Sequence, residues 1–203
     1  MAKLKAPLFS FGASGAIGKS LVYFGWKGID VVREYVVPVN PKSTKQMTQR
    51  NLLTAAVKEF HDAGYDDDDI TAWKLFASTF PTPRTAFNAM VRAHLMCALG
   101  GGDWIRFHDV TVTPGDPGES TVTCKTDATE VLHVRCLYGY SKSSVVGGVF
   151  ADTIVAGLAT FTIPALVEGK EVYLFMIGSV VTYKEKTYYG GRTGIYHYTA
   201  LAA

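Results

Sequence analysis

The chain has 203 residues, 48% of them hydrophobic and 19% charged, with a formal net charge of +2. That balance excludes a disordered or low-complexity fibrous chain and suits one large domain or two small ones, each with its own core. No apolar run approaches the roughly 20 residues needed to cross a bilayer, and Met1-Ala2-Lys3-Leu4-Lys5-Ala6-Pro7 lacks the apolar centre of a secretory signal, so folding in a cytoplasm and no membrane partner are expected.

Residues 1–42 read as an extended basic β-hairpin arm. Residues 21–24 and 29–39 are rich in β-branched and aromatic side chains, with Gly25-Trp26-Lys27-Gly28 as the turn and Pro38 and Pro41 as stops. A two-stranded hairpin is marginal alone in water, so this one is expected to need a partner surface. Residues 1–58 carry nine basic side chains against Asp30 and Glu34. The remainder is therefore net acidic, and a basic arm on such a body can hold nucleic acid, an acidic neighbouring subunit, or water.

Residues 43–102 are predicted to be helical. Ser43 and Gln46 form a capping-box pattern, and Met47, Leu53, Val57 and Phe60 share one face of a helix running to about Ala63. Asp66, Asp67, Asp68 and Asp69 read as the solvated start of a second helix through Trp73, where carboxylates complement the dipole. Pro81 and Pro83 precede a third helix over 86–99, and Gly100-Gly101-Gly102 is expected to be a domain boundary.

From Trp104 onward the period changes. Strand candidates at 107–113, 120–126, 130–140, 144–154, 159–165, 171–183 and 194–199 predict that residues 103–203 form an immunoglobulin-like or fibronectin III-like β-sandwich. Val122 and Cys124, and Phe161 and Ile163, alternate with polar residues as inward positions should. The expected class is α+β: arm, small helical segment, then sandwich.

No motif supports catalysis. Ala13-Ser14-Gly15-Ala16-Ile17-Gly18-Lys19-Ser20 satisfies a loose phosphate-loop pattern, yet Leu21-Val22-Tyr23-Phe24-Gly25-Trp26 offers a strand where phosphate binding requires a helix. The four aspartates lack the alternating ligands, central Gly and terminal Glu of a calcium loop. His61, His94, His108, His133 and His197 are dispersed, and Cys97, Cys124 and Cys136 lack metal-ligand spacing, so buried free thiols and no metal or cofactor are expected. No Gly-x-Ser-x-Gly element is present. The expectation is a protein that is not an enzyme.

Aromatic residues interleaved with basic ones are the stronger signal. Tyr23, Phe24, Trp26, Lys27, Arg33 and Tyr35 could stack bases and neutralise phosphates, but Trp, Tyr and Arg are equally the anchors of protein interfaces. The protein interface is favoured, because burial of those rings would stabilise the marginal hairpin. A second candidate surface is the ligand contact of Tyr188, Tyr189 and Arg192, where tyrosine supplies rigid amphipathic area for a glycan or protein.

Gly15 and Gly18, Trp26-Lys27-Gly28, Arg33, Asn40-Pro41, Gln46 and Arg50, followed by the Trp73 helix, together resemble a group of phage and prophage-associated proteins of unassigned role. In that group a glycine-punctuated segment leads into an Asn-Pro-x-Thr/Ser-x-x-Gln-x-x-x-Arg helix, often followed by an immunoglobulin-like domain. The resemblance implies a virion component, capsid- or tail-associated, made in a host cytoplasm. Its partners would be copies of itself and other virion proteins, with nucleic acid a lesser alternative for the arm. The runner-up expectation is a surface-recognition module binding through the sandwich.

Overall fold

The computed structural model describes residues 2–3, 14–37, 39–40, 42–115, 118–164 and 166–201. Ala13, Pro38, Pro41 and Ala165, which figure in the sequence expectations, lie outside them. The chain divides into two compact units, Met1–Ser43 and Thr44–Ala203.

Among the described residues the first unit carries a four-stranded antiparallel sheet rather than the expected two-stranded hairpin. Strands β1 (Ala2–Lys3), β2 (Gly15–Ile17), β3 (Leu21–Trp26) and β4 (Ile29–Glu34) run in the order β1-β4-β3-β2. The outer pair are two and three residues long, too short to show a period in the sequence. Lys27 and Gly28 have φ of 50° and 78°, the left-handed pair of a two-residue loop whose twist matches its flanking strands. Gly18 and Lys19 repeat this at 53° and 58°, with Ser20 N–H donating to Ile17 O at 2.9 Å. The Gly-Lys-Ser element is thus a hairpin turn that enters a strand, not a helix.

The second unit begins with three helices, α1 (Thr44–Asp62), α2 (Asp67–Ala77) and α3 (Ala86–Leu99). Trp73 and Met90 are fully buried between them, with Ala56 and Ala89 admitting close approach and Phe60 packing on Phe87 edge to face. The face predicted for α1 is displaced. Ala56, Val57 and Phe60 pack inward, whereas Met47 and Leu53 are exposed, because among the described residues the helical core draws on α1 at Ala56, Val57 and Phe60 alone.

Two antiparallel sheets follow. One has the order β5 (Phe107–Pro114), β6 (Ser120–Thr126), β10 (Leu158–Ile163), β9 (Thr153–Val155). The other has the order β12 (Lys186–Arg192), β11 (Glu171–Tyr183), β7 (Arg135–Gly139), β8 (Gly147–Phe150), with β13 (Tyr196–Thr199) also pairing with β11. They share one core, in which Val122, Cys124, Phe161 and Ile163 meet Cys136, Val172, Leu174 and Met176. The alternation read from the sequence is observed at these positions. All three cysteines are free and buried, and burial pushes the Cys124 thiol up to about 12.

Three strand expectations need correction. The segment 130–140 starts with a 3-10 turn, Val131–His133, before β7. The segment 144–154 divides at Ala151 and Asp152 into β8 and β9, which belong to different sheets. Residues 194 and 195 form a connection against α2, with Ile195 N–H donating to Ala72 O at 3.0 Å, so the last strand begins at Tyr196. Strand β12 was not anticipated.

The helices cover the outer face of the β11 sheet. Ile177 and Val181 are buried on that face, opposite the inward Val172, Leu174 and Met176. A Cβ at Gly100 or Gly102 would come within 2.4 Å of the Val181 methyls, so the triple glycine lets α3 end directly on the sheet. Residues 44–102 and 103–203 lie within one compact unit, Thr44–Ala203.

Candidate interaction surfaces

Cross-strand register sorts the arm residues onto two faces. Val22 opposite Arg33, Phe24 opposite Val31 and Trp26 opposite Ile29 occupy one face; Leu21 opposite Glu34 and Tyr23 opposite Val32 occupy the other. The six predicted contact residues are therefore not one patch. Phe24, Trp26 and Arg33 lie together, Tyr23 is behind them, Lys27 is in the turn and Tyr35 follows the strand. Arg33 lies 5.2 Å from the Phe24 ring centroid and Lys27 Nζ 6.0 Å from that of Trp26. Among the sheet residues whose burial is described, Val31 alone is buried, while Ile17, Leu21, Ile29 and Trp26, the last 56% exposed, stand open on both faces.

The second predicted set, Tyr188, Tyr189 and Arg192, comes together on one cavity of about 160 Å³. Phe76 of α2, Phe80 of the connection that follows it and Arg92 of α3 also line it. The Arg192 guanidinium lies 3.6 Å from the Phe76 ring centroid and 4.7 Å from that of Phe175. Its Nε–H donates to Thr193 O at 3.0 Å, which fixes the fork. Arg84 and Arg92 lie 4.7 and 5.4 Å from the Phe80 centroid. Among the described residues no acidic side chain pairs with any of the three arginines. Burial among the rings pushes Arg192 down to about 10, still charged at neutral pH.

Sequence reading missed Phe76, Phe80, Arg84 and Arg92, which sit about 100 positions from β12. Phe76 and Phe80 at a four-residue spacing were the visible signal. That spacing is equally that of a core face.

Asp69 also departs from its expected role. Asp66 caps α2 and forms a capping box with Asp69, while Asp67 and Asp68 stay exposed as read. Asp69, however, is 1% exposed. It accepts the Tyr196 hydroxyl, Asp109 N–H at 3.0 Å and Asp66 N–H at 3.3 Å. One carboxylate thereby ties α2 to β5 and β13. Burial raises its pKa, outweighing the hydrogen bonds that favour the ionised form.

A second tie joins α1 to the start of β5. Arg106 meets Glu59 in a two-pronged pair at 2.7 and 2.8 Å, and this hydrogen bonding lowers the Glu59 pKa. A carboxylate depressed in the fold contributes stability above its unfolded value, and that contribution is lost as pH falls through its folded value. Glu59→Gln should therefore lower stability near neutrality by about 0.5–2 kcal/mol, given partial exposure and solvent screening. The difference from the parent chain should shrink below about pH 4, as read by urea unfolding at both pH values.

Comparison of the chain with protein-family models and with curated proteins gives no match. Among the described residues no cluster of three or more His, Cys, Asp or Glu side chains is placed to hold a metal ion, and no helix is long and apolar enough to cross a membrane.

Proposed function

We propose that this chain is a non-enzymatic, self-assembling structural subunit, a phage virion component of the capsid or tail, whose N-terminal sheet docks on neighbouring subunits. The observation that carries this reading is the sheet itself, with apolar side chains open on both faces and, among the residues whose burial is described, Val31 alone buried. Exposed apolar side chains grouped on a sheet face mark interaction sites. Phe24, Trp26 and Arg33 anchor the contact, with Tyr23 on the reverse face available to a further neighbour. Basic charge on the arm favours the net acidic body of another copy; nucleic acid is the lesser alternative. The virion is the corresponding location, after synthesis in a host cytoplasm.

The two-sheet body is read as an immunoglobulin- or fibronectin III-like sandwich. In support, β5-β6-β10-β9 matches the ABED strand order and β12-β11-β7-β8 the GFC order extended by C′. A groove of about 610 Å³ lies between α2 and the edge strands β5 and β13, lined by Val110, Val112, Tyr196 and Tyr198. It suits strand addition or groove insertion by an extended segment.

Light scattering and negative-stain microscopy of the full chain and of a chain starting at Thr44 test the assembly. The full chain is expected as multimers and the shortened chain as a single folded subunit. Particles or filaments formed by the shortened chain would overturn the proposal. A second reading, recognition through the body, is favoured by the arginine-lined pocket.

A further inference from the structure

We infer that the cavity between α2, α3 and β12 is a binding site for an acidic saccharide, its carboxylate held by Arg192 and Arg92 and its ring laid against Tyr188 and Tyr189. This goes beyond the assembly reading and does not depend on it. The first argument is charge. Arg92 and Arg192 line a partly enclosed space and pair with no acidic side chain among the described residues. Desolvating a cation without a counter-ion is unfavourable, and a bound carboxylate would restore the balance. The guanidinium is also pre-organised: the Phe76 and Phe175 rings, with centroids 3.6 and 4.7 Å away, and the Nε–H bond to Thr193 hold it in one orientation. Its two Nη groups make no hydrogen bond to a described residue, and a planar fork suits a carboxylate.

Size and rim chemistry narrow the class. The cavity, at about 160 Å³, is below the roughly 300–1,000 Å³ of sites for drug-sized ligands, so it admits one small unit. Tyr188 and Tyr189 line the cavity, and tyrosine combines a flat apolar face with a hydroxyl tip, which suits a sugar ring having an apolar face and several hydroxyls. A free acid, or an acidic side chain of a protein, would use the arginines and leave the tyrosine faces bare.

The test is titration of the full chain with glucuronate, glucose and N-acetylglutamate at low ionic strength, read by calorimetry and by arginine side-chain NMR. Glucuronate is expected to saturate and to shift the Arg192 resonance, with both other probes at least about tenfold weaker. Arg192→Lys, which keeps the charge and loses the fork, should weaken glucuronate about tenfold. Arg92→Gln, at a half-buried rim position, should weaken it about threefold with an unchanged melting temperature. That second variant keeps the test decisive if Arg192→Lys perturbs packing. Equal binding of glucose, binding of N-acetylglutamate as tight as glucuronate, no saturation by glucuronate, or undiminished binding by Arg92→Gln would each overturn the inference.

Discussion

Replacement of Asp69 by alanine is expected to cost about 3 kcal/mol or more of unfolding free energy, the largest effect of any polar substitution in the body. Three donors lose their acceptor at once: the Tyr196 hydroxyl, the Asp109 amide and the Asp66 amide. Each donor left buried and unsatisfied costs about 1–3 kcal/mol. The capping box of α2 also opens. Asp69→Asn retains an oxygen acceptor and should recover at least half of the loss. The pH dependence has a defined sign. Burial raises the Asp69 pKa in the fold, so the native state binds its proton more tightly than the unfolded chain does. Its contribution is therefore full below the unfolded value and declines as pH rises through the folded value. The parent chain should gain stability relative to Asp69→Asn as pH falls from about 7 to about 4, measured by urea unfolding. A loss below about 1 kcal/mol for Asp69→Ala, or a parent chain that weakens relative to Asn on acidification, would remove Asp69 from this role.

Gly194→Ala is expected to destabilise the body by about 3 kcal/mol or to prevent folding. A Cβ there would lie 2.2 Å from the Ala72 carbonyl carbon and 2.3 Å from Trp73 N. Those atoms belong to the backbone of α2 and cannot rotate aside as a side-chain tip would. Relief requires the 193–195 segment to withdraw from the helix, breaking the Ile195 to Ala72 hydrogen bond and unseating Trp73 from its buried position. Overpacking of this kind costs about 1–3 kcal/mol even where neighbours can shift. Gly115→Ala is the control, since its added methyl would meet its nearest neighbour at an ordinary 3.6 Å. It should change stability by less than about 0.5 kcal/mol. Equal thermal shifts for the two variants would contradict the close approach.

Both positions show where sequence reading stops. Strands 120–126 and 171–183 and the helix 86–99 were legible with their observed boundaries, because each shows a local period or a run of β-forming residues bounded by turn residues. Strand β12, Lys186–Arg192, was missed because tyrosines, glycines and charges occur along it without alternation. Its glycines answer to the chain crossing it: a Cβ at Gly191 would lie 2.2 Å from Ile105 O. The division of 144–154 was hidden for a similar reason, since the change of sheet at Ala151 is set by the core that Ala151 joins.

The candidate surfaces divide in the same way. Aromatic and basic density marked Phe24, Trp26 and Arg33, and separately Tyr188, Tyr189 and Arg192, without any fold. It could not place Tyr23 on the opposite face of the sheet, nor bring Phe76, Phe80 and Arg92 across the chain to Arg192. By itself the sequence determined the α+β class, the basic N-terminal segment, most element positions and the alternating core, all recorded in residues a few positions apart. Only tertiary structure decided that Asp69 is buried, that the described arm strands form a four-stranded sheet and that Arg92 and Arg192 meet in one cavity. Local period reports that a side chain is covered; which distant surface covers it is a property of long-range packing.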